Sequence, residues 1–447
     1  MSSTNGPVGK RSRRHLLRAA GGSVLALALL TACGEGGTST TQGDAAGGKP
    51  VTLQVWGGGR NAQAVVDKFN ATHPRITLEY TDLAGGPEGY TKLVNAIKSG
   101  NGPDLFAPEY QNLPDLVSQG YVQDLSAKFT PELKAKFNAQ AMELATLGGK
   151  NWAVPMDIAP MVYFYRQDVF EKYGLTVPRT WSEFRAAAAK LKKADPEARL
   201  ATFPIDDPSV VAGLSWQSGG TWFGTEGDTW KVGFADAGTT RTVDFWQDML
   251  DDDLVAGKPY WAPTQAKDEA AGKVVSEIGA TWNAAGLSTK LPDQKGTWAV
   301  APLPTFDGKP ASGMNGGSTF AVAKGSDHLD QGFEAAVWLT THKDAWTTRL
   351  AEGTASSYPA ATDMVAVAEK SYDASYYASD VYPVFRKAAD SLTPGWAFGP
   401  SMTATWKALS DPLGQIDRKG DIAGALREGQ DATVRNLKDR GLNVSAG

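Results

Sequence analysis

Residues 51–80 read VTLQVWGGGRNAQAVVDKFNATHPRITLEY, and two periodicities meet in them. Val51 to Trp56 alternates apolar and polar side chains with a period of two, which predicts a strand running into Gly57-Gly58-Gly59. Ala62, Val65, Val66 and Phe69 then fall on one face of a helix, and Ile76, Leu78 and Tyr80 alternate again as a second strand. The unit repeats: Tyr90, Leu93, Val94 and Ile97 have helical spacing, Gly100-Asn101-Gly102-Pro103 turns the chain, Leu105-Phe106-Ala107 is a short strand, and Leu113, Leu116 and Val117 start another helix. Alternation of this kind predicts an open α/β sheet with ligands at the carboxyl ends of its strands, so the loops Trp56 to Arg60 and Pro108 to Asn112 are the ones to watch. The glycine triplet has neither the G-x-G-x-x-G spacing nor the Lys-Ser/Thr of a nucleotide loop, which leaves a tight turn or close approach of another ligand.

Working outward, 447 residues exceed one typical core, so two lobes are expected. Residues 1–32 hold five of the 44 Lys and Arg and none of the 49 Asp and Glu, leaving 39 against 49 and a formal charge of −10 for the rest. An acidic body without a basic patch argues against nucleic acid as a partner. Cys33 is the single cysteine, and only His73, His328 and His342 lie beyond the leader, widely separated. No disulfide, metal site, cofactor or catalytic residue is therefore expected in the body.

The N-terminus reads as an address. Lys10 to Arg18 is basic, Val24 to Leu30 is apolar but well short of the roughly 20 residues that span a bilayer, and small residues follow. Ser12-Arg13-Arg14-His15-Leu16-Leu17-Arg18 resembles a twin-arginine export signal, departing mildly at His15 and Leu16. Leu30-Thr31-Ala32-Cys33 resembles a bacterial lipobox, whose cysteine is lipidated and becomes the new N-terminus. Residues 33–49, rich in Gly, Ser, Thr and Ala, lack apolar groups to bury and read as a flexible tether. The expected location is extracytoplasmic, lipid-anchored to the outer face of the bacterial cell membrane.

Farther along, Trp152-Ala153-Val154-Pro155 and Met161 to Tyr165 read as strands, and Thr180 with Glu183 forms a capping box that starts a helix, with Trp181 structural. The chain resembles the family 1 solute-binding proteins of sugar importers, the group that includes maltodextrin-binding protein. Seven pieces carry the resemblance in family order across about residues 50–440: Trp56; Asn101-Gly102-Pro103-Asp104-Leu105; Trp152-Ala153-Val154-Pro155; Tyr163-Phe164-Tyr165-Arg166; Pro178-Arg179-Thr180-Trp181-Ser182-Glu183-Phe184; Gly279-Ala280-Thr281-Trp282; and Ala301-Pro302-Leu303-Pro304. The resemblance implies the type II periplasmic-binding-protein fold, two α/β lobes of open sheets flanked by helices with a hinge between them. It implies a first lobe of 50–156 plus 303–342 and a second of 157–302 plus 343–447. Crossings would fall near Met156 to Pro160, Ala299 to Leu303 and Thr340 to Ala345. It also implies a monomer that hands a sugar to the transmembrane subunits of an ABC permease, whose separate ATPase drives import.

A sugar offers hydroxyls beside weakly apolar ring faces, so its site needs flat aromatics and planar polar groups; each buried polar group left unmatched costs about 1–3 kcal/mol. The chain has 14 tryptophans. Trp282, followed by Asn283, matches the family position of a stacking tryptophan, and Glu109, Tyr110 and Gln111 occupy a loop where the family presents sugar contacts. Pro108 stands where maltodextrin binders have tryptophan, which puts that sugar in doubt. Trp56, Asp157 in the first hinge, Asp207, Asn315-Gly316, Trp216, Trp396 and Trp406 complete the candidates; Arg60 either meets a hydroxyl or faces solvent, and Trp338 is assigned to the core. The tryptophan count favours an oligosaccharide.

Two rival readings stay open. An exported glycosidase would need two carboxylates about 5–10 Å apart across the scissile bond. A binder of a peptide, polyamine or metal complex on the same scaffold would favour a strongly charged cleft or metal ligands.

Overall fold

The computed structural model describes residues 49–416 and 420–447. The export signal, the lipobox with Cys33 and nearly all of the tether lie outside the described residues. The body, 49–447, is one compact unit built around two principal sheets.

In the first sheet, β1 (Val51–Gly57) runs parallel to β2 (Ile76–Asp82), pairing Val51 with Ile76 through Gly57 with Asp82, and parallel to β3 (Leu105–Phe106). The helices α1 (Ala62–Asn70) and α2 (Gly86–Lys98) make the crossovers that parallel strands require. Alternation does what the sequence pattern promises: Leu53 and Val55 are buried while Thr52 and Gln54 face out, and α1 buries Val65, Val66 and Phe69. Two late additions complete the sheet in the order β2, β1, β3, Thr319–Val322, Val154–Pro155, and both pairings of Thr319–Val322 are antiparallel. After β3 comes the short helix α3 (Leu113–Ser118), anchored by buried Leu113 and Leu116.

The second lobe is centred on Met161–Arg166, flanked antiparallel by Ser276–Ala280 and Trp298–Pro302. Thr180 and Glu183 form the expected capping box on helix Trp181–Ala194, and Trp181 packs in an aromatic cluster with Phe184, Phe245 and Trp246. Helices Met402–Leu413 and Ile422–Asp439 pack together, and strand Asn443–Ala446 closes this lobe beside Thr229–Val232.

Three segments among the described residues run close to both sheets. In the first, Val154–Pro155 belongs to the first sheet, Asp157–Ile158 pairs with Tyr358–Pro359, and Met161 opens the second sheet. Residues 303–312, assigned from sequence to the first lobe, hydrogen-bond to the second: Trp181 N–H donates to Thr305 O (3.0 Å), Gln217 Nε2 to Pro304 O (2.9 Å), and Ser312 N–H to Ser391 O (2.8 Å). Gly313 to Ser318 then leads into Thr319–Val322 of the first sheet. Helix Lys343–Arg349 likewise packs on α1, and Asn61 Nδ2 donates to Arg349 O at 3.1 Å. His342 marks a kink between two helices, capping the second through Nδ1 (3.2 Å from Asp344 N). A break in helical periodicity does not say whether the chain changes lobe.

Candidate interlobe binding site

The carboxyl ends of β1, β2 and β3 open onto a cavity of about 410 Å³, as an open α/β sheet requires. Gly58 and Gly59 form its floor beside Leu83, Pro108 and Glu109, and the hinge contributes Asp157, Ser318 and Ser357. A side chain at Gly58 would put its Cβ 2.8 Å from Leu83 O, and Gly59 has φ 115°, so the triplet is a turn only glycine makes without strain. A larger cavity of about 740 Å³, between residues 303–312 and helix Tyr382–Asp390, contains none of the candidate residues.

On the first-lobe rim, Gln111 bridges two groups: its Nε2 donates to Glu109 Oε2 (2.5 Å) and its Oε1 accepts from Trp406 Nε1 (2.8 Å). At the hinge, Asp157 Oδ1 accepts from Ser318 N–H at 2.7 Å, with the buried Arg349 guanidinium as its cationic neighbour. On the second-lobe rim, Asp207 caps helix Pro208–Gln217 by accepting from Ser209 N–H at 3.0 Å. Ser209 Oγ also donates to Asp207 and lies 3.0 Å from Asn315 Oδ1.

These carboxylates are out of their usual range for a common reason. Burial pushes Glu109 up to about 7, the Gln111 hydrogen bond pulls it down, and the charges of Asp157 and Asp207 raise it further. Asp157 rises to about 6 through burial, held back by Ser318 N–H and Arg349, while burial also raises Asp207. Arg349 falls to about 10 by burial, opposed by Asp157. Among the described residues there is no His, Cys, Asp and Glu grouping that could hold a metal ion.

The aromatic wall belongs to the second lobe. Trp282 Nε1 donates to Asn315 O (2.8 Å), and its ring stacks on Trp261 at 5.8 Å between centroids with an interplanar angle of 16°. Trp261 is 68% exposed, the one exposed large hydrophobic side chain among the described residues. Sequence reading missed it: Pro259-Tyr260-Trp261 has no periodicity, and the only signal was a tryptophan between two prolines in a polar stretch. Its neighbour Tyr260 is half-buried, its hydroxyl donating to Glu277 at 2.6 Å, and so fixes where Trp261 emerges. Gly316, at φ 90°, lets the chain pass beneath Trp282, whose Nε1 would be 3.4 Å from an added Cβ.

Several other candidates are placed elsewhere. Asn283 is buried, its Oδ1 accepting from Ala280 N–H (2.7 Å) and its Nδ2 donating to Glu277 (2.7 Å), so it buttresses Trp282 from behind. Trp216 is 1% exposed, stacks on the equally buried Trp396 at 5.4 Å, and donates to Thr393 O at 2.5 Å; both rings are spent on the core of the second lobe. Tyr110 is buried beneath Gly317, with a hydroxyl that has no hydrogen-bond partner. Trp56 is half-buried under Lys92, whose Nζ is 5.6 Å from the ring, and does not line the cavity. Arg60 is exposed and borders a 60 Å³ recess that it shares with Arg349. Trp338, assigned to the core, packs edge-on to Phe69.

Residues 56–346 match the family described as bacterial extracellular solute-binding protein. Among solved structures, the galacto-N-biose/lacto-N-biose I-binding protein of the ABC transporter from Bifidobacterium longum, in complex with lacto-N-biose, is 27% identical with a TM-score of 0.80, covering 90% of this chain and 100% of that one. Among curated relatives, a lactose-binding protein of Rhizobium radiobacter is 25% identical over 64% of this chain and 68% of its own length. A putative binding protein of Brucella abortus (strain 2308) is 26% identical over 54% of this chain, and the match spans only 59% of that relative's length. The likeness extends across both lobes, and the fold is the two-lobed type II periplasmic-binding-protein fold.

Proposed function

The chain belongs to the bacterial extracellular solute-binding protein family, and from that premise we propose that it captures a sugar, an oligosaccharide, between its lobes and delivers it to an ABC permease. The observation that carries the reading is the Trp261–Trp282 pair, a flat, partly exposed apolar face beside the polar groups of Asp207 and Asn315. Aromatic faces take pyranose rings, and raised carboxylates with fixed amides order hydroxyls. The lacto-N-biose complex of the Bifidobacterium protein and the name of the Rhizobium relative support a sugar of two or more rings. In this reading Glu109, Gln111, Asp157 and Asp207 supply the polar contacts, and Trp261 and Trp282 the stacking.

The proposal includes a lobe division of 50–156 plus about 313–355 against 157–312 plus about 356–447, a monomeric body, and attachment to the membrane through lipid at Cys33 after removal of residues 1–32. No chemistry is performed on the sugar. Calorimetric titration of residues 50–447 with a panel of mono- and oligosaccharides, with product analysis of each mixture, tests the sugar ligand and the absence of chemistry on it. One-to-one binding with the sugar intact is expected. Cleaved sugar would favour a glycosidase using the Glu109 and Asp157 carboxyls, and silence across the panel would overturn the sugar ligand.

A further inference from the structure

Two polar chains join the second lobe to the wall of the cavity, and neither ends in a group placed to touch the ligand directly from the second lobe. Arg440, just beyond helix Ile422–Asp439, has Nη1 2.9 Å from Asp115 Oδ1 on α3, and its Nη2 donates to Ser118 Oγ at 3.1 Å. The guanidinium is oriented from its own lobe by Pro400 O, which accepts from Nη1 at 2.6 Å. Asp115 is buried; its other oxygen accepts from Tyr90 OH at 2.7 Å, and Tyr90 lines the cavity. The second chain is Trp406 to Gln111 to Glu109, which also ends on the cavity wall. Trp406 and Arg440 ride on the two packed helices that end the second lobe, so a hinge motion carries them together.

We infer that Arg440 and Asp115 form an interlobe latch that couples closure to the cavity wall, making both positioning residues for ligand affinity although neither touches the ligand. The inference rests on the proposed sugar site. Parting the lobes would break the ion pair and the Arg440 hydrogen bond to Ser118, so the pair weights the closed arrangement. Whatever favours closure also favours a ligand that contacts both lobes, by the same factor in each direction.

The test uses the body, residues 50–447, as wild type, Arg440→Ala, Asp115→Asn, the double variant and Arg440→Lys, titrated with lactose and lacto-N-biose and measured by small-angle scattering with and without them. Each single variant is expected to weaken binding by about tenfold, and the double no more than either single, because both remove one interaction. Arg440→Lys, which keeps the charge but not the fork, should recover part of the loss. Ligand-free Arg440→Ala should have a larger radius of gyration than wild type. Affinities within twofold of wild type together with equal radii would overturn the latch. If wild type binds neither probe, those two sugars are excluded as ligands and the ligand-free radii still decide the latch. Should Arg440→Ala fold poorly, Asp115→Asn, which keeps an acceptor oxygen for Gln119 and presents Tyr90 with an N–H that its hydroxyl can accept, carries the same decision.

Discussion

Replacing Trp261 by alanine separates a ligand platform from a structural tryptophan. At 68% exposure this side chain leaves roughly 140 Å² uncovered, taking about 200 Å² for a whole tryptophan. A sugar ring lying over half of that removes about 70 Å² of indole and a similar area of its own from water. At about 25 cal/mol per Å² the upper bound is near 3.5 kcal/mol; sugar faces are only partly apolar, so about 1.5–2 kcal/mol remains, roughly a 10- to 30-fold rise in Kd. Folding stability should change by no more than about 0.5 kcal/mol, since an exposed side chain stacked on one neighbour contributes little to the core. Titration calorimetry reads the first quantity and urea denaturation the second. An unchanged Kd, or a loss of stability as large as that of a core tryptophan, would refute the platform.

Trp216→Ala should give the opposite pattern, losing about 3–5 kcal/mol in urea denaturation because the ring fills the core against Trp396; a stable Trp216→Ala protein with lost sugar binding would return this residue to the ligand site. Arg349→Leu should cost about 3 kcal/mol at pH 8 by stranding the Asp157 carboxylate, and less at pH 5, where Asp157 is protonated; an equal loss at both pH values would mean that Asp157 is not its electrostatic partner. Glu109 is raised from 4.5 to about 7, so between these values the folded protein holds a proton that the unfolded chain releases, and this group's contribution to stability is lost as pH rises through 7. Glu109→Gln should therefore melt higher than wild type at pH 8 and lose that advantage at pH 5, and a pH-independent gap in thermal melts would refute the burial argument.

Local order was legible. The period-two run of Val51 to Trp56, the stripe of Val65, Val66 and Phe69, and the Thr180/Glu183 capping box depend on neighbours within a turn or a strand, and the structure reproduces each. The family resemblance was legible too, because the order of its motifs survives where each motif alone is common. What a side chain does in the site was much less so. Trp216, Trp396 and Trp261 look alike in sequence, each beside polar residues or glycine and proline, yet two are stacked in a core and the third stands in solvent. Periodicity tells which face of an element a residue occupies, whereas burial depends on what covers that face, and here the cover comes from residues more than a hundred positions away. The lobe crossings and the Asp115–Arg440 pair have the same origin: partners separated by 325 positions leave no local trace, so only the folded chain decides which charges meet and where the hinge lies.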